Sequence, residues 1–153
     1  MGRILAIDPG SRRVGTAISD ESQSLARGLC VIAAEPHDAL LRRVAQLVAE
    51  NGVEEIVIGL PRNMNGSYGE RAEESLALAR ELEETFSFVV NTWDERLTTR
   101  QAERILLEAD LSRGKRRQII DQEAAAVLLQ AYLDARRAKS KIQREEWNLE
   151  RER

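Results

Sequence analysis

Short apolar runs alternating with longer amphipathic ones set the architecture of this chain. Residues 3–8 form an apolar run, Ile4, Leu5, Ala6 and Ile7, that stops at Asp8. Pro9-Gly10-Ser11 is turn chemistry, and residues 14–19 resume with Val14, Thr16 and Ile18 alternating against small residues. A hairpin is the economical reading, and residues 25–33 add a third strand to an antiparallel meander. Residues 36–50 then take a helical period, with Leu40, Leu41, Val44, Leu47 and Val48 on one face and Asn51-Gly52 as the stop. Ile56, Val57 and Ile58 stand in a row within residues 55–60, the pattern of a strand covered on both faces.

A polar loop, 61–67, follows. Ser67 and Glu70 have capping-box spacing and predict a helix running to about residue 84. Residues 86–93 read as a further apolar strand. Thr98 and Gln101 form a second such pair, opening a helix with Ala102, Ile105 and Leu106 inward. Asp121 is expected to open a last helix through Ala125, Leu128, Leu129 and Tyr132. The order β-β-β-α-β-α-β-α-α predicts an α/β fold: a mixed five-stranded sheet, antiparallel meander plus parallel strands, flanked by helices. Residues 1–135 are expected to form one domain. Residues 136–153, almost wholly charged, read as a tail, either a helical extension or disordered.

At 153 residues the chain suits a single core, and with aromatics at 4% that core must be aliphatic. No stretch approaches the roughly 18 apolar residues of a membrane helix, Asp8 interrupts any signal-like start, and the lone cysteine, Cys30, has no disulfide partner. A cytoplasmic protein without membrane association is expected. Net charge is −3, so attraction to nucleic acid must be local. The charge is unevenly spread: residues 67–96 hold eight acidic residues against three arginines, whereas 112–118 hold Arg113, Lys115, Arg116 and Arg117 with no acid.

Three carboxylates fall where α/β sheets place ligands, beyond the carboxyl ends of strands. Asp8 ends the first strand, Glu95 follows the strand ending at Trp93, and Asp121 stands at the mouth of the last helix. They converge if strands one and five lie close. Clustered carboxylates repel, and a divalent cation removes the conflict. A set of oxygen donors without grouped His or Cys suits Mg²⁺ or Mn²⁺ rather than zinc. Each residue also has a plainer reading: Asp8 as a turn residue, Glu95 in a surface ion pair with Arg96 or Arg100, Asp121 as an N-cap. His37 reads as a surface cap residue, Cys30 as a small core residue, and Trp93 as core rather than a base-stacking platform.

Four segments read together narrow the choice: "ILAIDPGSRRVGTAISD", "IVIGLPRNMNGSYGERA", "TWDERLTTRQAERIL" and "IIDQEAAAVLLQAYL". In order and spacing they closely resemble the YqgF-like family, described as Holliday-junction resolvases or pre-16S rRNA nucleases. The resemblance spans residues 3–133. It implies a ribonuclease-H-like fold and a metal-dependent nuclease, with Asp8, Glu95 and Asp121 as the catalytic, metal-holding set. No fourth ligand matches, although Glu123 lies close to Asp121. The same motifs suggest a grip on substrate: Arg12 and Arg13 beside Asp8, Arg62, Asn63 and Asn65 in the 61–67 loop, and Lys115, Arg116 and Arg117 on the flanking backbone. The implied partner is nucleic acid, with precursor ribosomal RNA favoured and branched DNA as the alternative, and the implied state is a monomer or weak homodimer. Two other classes stay open. The first segment also looks like the phosphate loop of actin-like kinases, which however close two lobes on a nucleotide, and a non-catalytic binding module is the third possibility.

Overall fold

The computed structural model describes residues 2–61, 69–94 and 113–151, with backbone alone for 113–122. Five strands, β1 (Arg3–Pro9), β2 (Arg13–Ser19), β3 (Ala26–Ala33), β4 (Val53–Leu60) and β5 (Val90–Asp94), form one sheet in the order β3-β2-β1-β4-β5. β1 pairs antiparallel with β2, and β2 with β3; β1–β4 and β4–β5 are parallel. This is the mixed sheet the pattern predicts.

Strand alternation sends side chains to two separate cores. Leu5, Ile7, Val14, Ile56 and Ile58 pack under α1 (His37–Asn51) and α2 (Glu70–Phe86), against Leu40, Val44, Leu47, Leu78, Ala79 and Leu82. Ile4, Ala6, Ala17 and Val57 face the other way, against Ala125, Leu128, Leu129 and Leu133 of α3 (Arg113–Arg151). β4 is covered on both faces, as its unbroken Ile-Val-Ile run requires. Cys30 is half-buried against the first core, and Trp93 packs on the second, edge-on to Tyr132 with ring centroids 5.7 Å apart.

Turns follow local chemistry. Gly52 ends α1 in the left-handed region at φ 62°, and its N–H donates to the Val48 carbonyl. In the β2–β3 turn the N–H groups of Ser24 and Leu25 donate to Asp20 Oδ1, at 2.8 and 3.1 Å, which holds that carboxyl below its ordinary pKa.

Several boundaries differ from the sequence reading. α2 begins at Glu70 with Gly69 at its N-cap, so Glu70 is the first helical residue rather than the closing member of a capping box; Ser67 lies outside the described residues. Phe86 ends α2 instead of opening β5. Ser87 caps the helix at φ 59°, donating to the Glu83 carbonyl, and Phe88 stacks on Phe86 at 5.3 Å. The helix expected from Thr98 lies outside the described residues. α3 starts at Arg113, not Asp121. Asp121 is therefore two turns inside a helix rather than at its mouth, and the basic run from Arg113 to Gln118 is helical. α3 runs unbroken to Arg151, 39 residues in all, and residues 136–151 form its extension beyond the core. Ala, Lys, Arg, Gln, Glu and Leu, all strong helix formers, fill most of that extension without Gly or Pro. A helix already anchored by Ala125–Leu133 needs no new nucleus to continue.

Candidate active site

Asp8 stands half-buried near the carboxyl end of β1, paired across the ladder with Gly15 of β2. Its neighbours on β1, Ile4 and Ala6, point to the α3 core, while Leu5 and Ile7 point to the α1/α2 core. Alternation therefore sends the Asp8 carboxylate to the face that α3 covers. Arg13, two residues before Gly15, shares that face and is half-buried; Arg12 is exposed on the turn.

β1 and β5 are not adjacent, because β4 lies between them. The register explains how that gap is kept open. Ile7 pairs with Ile58, so Asp8 is level with Gly59, and Gly59 pairs with Trp93. Asp8 is thus flanked by Gly15 on one neighbouring strand and Gly59 on the other. Neither offers a side chain on the α3 face. Neither glycine stands out in the sequence as a site residue. The available signal is a glycine interrupting an otherwise apolar strand, visible only once the register is known.

The turn after β1 is tight. A Cβ on Gly10 would sit 2.4 Å from the Arg13 carbonyl oxygen, so only glycine fits, and the Ala34 N–H donates to the Arg12 carbonyl at 2.9 Å, pinning the turn to the exit of β3. Pro9, Gly10 and Ser11 also border a cleft of about 950 Å³ on the opposite, α1/α2 face. His37 lines it, and its Nε2 lies 2.5 Å from Glu81 Oε1 of α2. The N-cap of α1 is Pro36, so His37 bridges two helices instead of capping one. It stands on the far side of the sheet from Asp8.

α3 runs antiparallel to β1. Gln130 binds the backbone of Ser24 and Ala26, and Tyr132 and Arg136 meet Glu55, all toward the end of the sheet where β1 begins. Upstream along α3 the chain returns toward the end carrying Asp8. Asp121 precedes Ala125 by four residues and Leu128 by seven, which puts its position on the helix stripe that faces the sheet. Lys115, Arg116 and Arg117 lie further up the same helix. Arg62, Asn63, Asn65 and Glu95 lie outside the described residues, Glu95 immediately after the end of β5. Among the described residues no three His, Cys, Asp or Glu side chains gather as a metal site.

Comparison with known proteins agrees with this architecture. The model of the RuvX family, described as Holliday junction resolvase, matches residues 2–135. A relative from Geobacillus kaustophilus is 50% identical over 137 residues, which cover 88% of this chain and 99% of the relative. One from Moorella thermoacetica is 51% identical over 132 residues, covering 86% and 94%. Each bears the name "Putative pre-16S rRNA nuclease". Among solved structures, Thermus thermophilus RuvC in complex with a Holliday junction substrate superposes with a TM-score of 0.56 at 16% identity, covering 90% of this chain and 97% of that one. Fowlpox virus resolvase with its junction DNA does so at 0.56 and 12% identity, covering 87% and 97%. The sheet order, the two-sided helical cover and the shared fold of the RuvC-type, ribonuclease-H-like resolvases all accord with the sequence match, and the chain belongs to the RuvX family.

Proposed function

We propose that this chain is a divalent-metal-dependent nuclease that hydrolyses phosphodiester bonds in nucleic acid, with precursor 16S rRNA, trimmed at its 5′ end in the cytoplasm, as the substrate. The carrying observation is Asp8: a carboxylate near the end of a central strand, flanked by Gly15 and Gly59, under the helix that bears Asp121. The name borne by relatives at about half identity supports RNA as the substrate.

Asp8, Glu95 and Asp121 fit a Mg²⁺ or Mn²⁺ site by donor chemistry, since all three offer hard oxygen and none offers sulfur or imidazole. Trp93 faces α3 and Asp94 faces away from it. Trp93 is level with Asp8 across β4, so their backbones stand roughly 10 Å apart, and Glu95 follows Trp93 by two positions in the sequence. Along α3, Asp121 is 15 residues, about 22 Å, upstream of Arg136. Arg136 meets Glu55, which pairs with Ile4, and Asp8 lies about 13 Å from that level along β1. The reading requires α3 to cross the sheet obliquely, so that the longer path along the helix and the shorter one along β1 end at the same edge.

When bound, such an ion polarises a phosphate oxygen and acidifies water. Glu95 orients the attacking water and accepts its proton. Arg12 and Arg13, with the backbone N–H groups of the Gly10 turn, hold the phosphate that is cut. Lys115, Arg116, Arg117, Arg62, Asn63 and Asn65 contact flanking backbone and so position substrate without reading its sequence. The state expected for this reading is a monomer or weak homodimer.

A junction resolvase is the second reading, favoured by the description of the matching family. Symmetric paired cuts require two active sites. The test compares cleavage of a precursor-rRNA fragment and of a four-way DNA junction in Mn²⁺, by wild type and by Asp8→Asn. RNA cleavage by the wild type alone supports the first reading. Paired cuts confined to the junction support the second, and equal cleavage by both proteins refutes the site.

A further inference from the structure

The last fifteen described residues of α3, from Arg137 to Arg151, are exposed all round and extend past the region matched by the family, which ends at residue 135. Their charges are sorted by face. At about 100° per residue, Trp147, Ser140, Arg151, Arg144, Arg137, Asn148 and Lys141 fall in that order within an arc of roughly 120°. That arc holds four cations and no acid. All three acids of the segment, Glu145, Glu146 and Glu150, lie on the remaining circumference with Lys139, beside a strip of Ala138, Leu149 and Ile142.

A helix charged merely for solubility intersperses signs and forms i,i+4 pairs. Here none of the four cations makes an ion pair among the described residues. Arg144 instead turns its Nε toward the Ser140 carbonyl, and Arg151 lies 4.5 Å over the ring of Trp147, leaving a guanidinium and an indole side by side in solvent. In a chain of net charge −3, a one-sided band of four guanidinium and ammonium groups with an aromatic at its margin matches a polyanion that also offers stackable rings. The band also shares one unbroken helix with Asp121, which fixes its distance from the cleavage site: about 24 Å to Arg137 and about 45 Å to Arg151. At ~3.4 Å per base pair this is roughly 7 to 13 base pairs of duplex.

We propose that this extension is a nucleic-acid arm, whose Arg137, Lys141, Arg144 and Arg151, with Trp147 beside them, grip the phosphate backbone of the chain that is cut near Asp8. The proposal rests on the nuclease reading and adds to it a substrate class: nucleic acid with a structured region continuing about one helical turn beyond the scissile bond.

The test measures binding apart from catalysis. A fluorescein-labelled RNA duplex of about 30 base pairs is titrated with full-length protein in EDTA across a series of NaCl concentrations. The variant carries Arg137→Gln, Lys141→Gln, Arg144→Gln and Arg151→Gln. A control with the same change in net charge carries Arg27→Gln, Arg42→Gln, Arg71→Gln and Arg80→Gln, exposed cations on other elements. The arm variant is expected to bind at least tenfold more weakly near 0.1 M salt. Its log–log salt slope should be shallower by two to four, since each lost phosphate contact removes roughly 0.9, while the control keeps the wild-type slope. Equal losses in both variants, or a loss in neither, overturn the arm. So does unchanged binding together with a fall in sedimentation mass for Ile142→Asp, which would make the apolar strip a seam between two copies. A parallel Mn²⁺ cleavage assay separates the two readings: a wild type that binds with the expected slope but cuts nothing keeps the arm and removes the nuclease.

Discussion

Glu55 holds the far end of α3 to the sheet, and replacing it with glutamine tests how firmly that helix is seated. The Tyr132 hydroxyl donates to Glu55 Oε2 at 2.7 Å, and Arg136 Nη2 reaches both carboxylate oxygens at 2.5 and 2.8 Å. Arg136 also lies 4.9 Å over the Tyr132 ring, and its Nη1 donates to Gln23 at 3.3 Å. The side chain of Glu55 is 13% exposed and that of Arg136 40% exposed. An exposed ion pair contributes up to about 1 kcal/mol, whereas breaking a buried one costs roughly 3–5. One sheltered and one wet partner place Glu55→Gln between these, at about 2 kcal/mol. For a chain of this length each kcal/mol moves Tm by roughly 2–4 °C, so a fall of about 4–8 °C is expected at neutral pH.

Thermal and urea unfolding of Glu55→Gln, Arg136→Gln and the double variant measure both the loss and the coupling. The coupling is expected near 1 kcal/mol, because each partner keeps contacts the other does not share. A fall below about 1 °C, with coupling inside roughly 0.3 kcal/mol, would show that the pair is decoration and that apolar packing alone seats the helix. Because α3 also carries Asp121, the same variant should lose cleavage if the clamp sets the helix position.

Three further outcomes are expected. With Tyr68→Phe, Tyr132 is the only tyrosine left, and absorbance at 295 nm should show it titrating at about 12, raised by burial first and then by its hydrogen bond and proximity to Glu55. Its folded pKa lies above the unfolded value near 10, so the associated stability is intact below pH 10 and lost as pH rises toward 12; a native protein with a midpoint near 10 contradicts this. Gly10→Ala forces a Cβ against the Arg13 carbonyl oxygen, costs about 1–3 kcal/mol and disturbs the Asp8–Arg13 turn, so both Tm and cleavage should fall; an unchanged melt refutes the close approach. Leu128→Ala, at a side chain 1% exposed, should cost about 2–5 kcal/mol in urea unfolding, and a loss under 1 would mean that α3 does not close the second core.

Elements defined by apolar period were legible in the sequence, and those defined by propensity or by a single cap were not. β4 announced itself because three consecutive branched residues suit a strand covered on both faces. The start of β5 was obscured because Phe86 and Phe88 are apolar on either side of the helix end, and the left-handed cap there is Ser87, not the glycine that marks such positions. α3 was placed eight residues too late for a related reason. Arg113 to Gln118 carries no apolar stripe, yet Lys, Arg and Gln are good helix formers, and the downstream packing needs only one anchored segment to extend in both directions. Asp8 was legible from its position at a strand end. Gly15 and Gly59 were not, since their value comes from lying level with Asp8 on neighbouring strands, and no single-strand pattern encodes that.

The two faces of the sheet divide the work unequally, and side-chain size shows how. Under α1 and α2 the sheet contributes Leu5, Ile7, Val14, Ile56 and Ile58, bulky groups that fill a deep core. Under α3 it contributes Ala6 and Ala17 beside Ile4 and Val57, and α3 answers with Ala125 together with Leu128, Leu129 and Leu133. Small residues let a helix approach the sheet closely, so less slack remains between α3 and the backbone around Asp8. Substitutions in the first core should therefore change stability and leave cleavage per folded molecule nearly intact. In the second core even a modest change in size shifts the helix that carries Asp121, and the penalty falls on the chemistry before it falls on the fold. A conservative enlargement such as Ala125→Val separates these effects: cleavage should drop by more than the fraction of protein unfolded, whereas Val44→Ala should lower Tm and spare the turnover of the molecules that remain native.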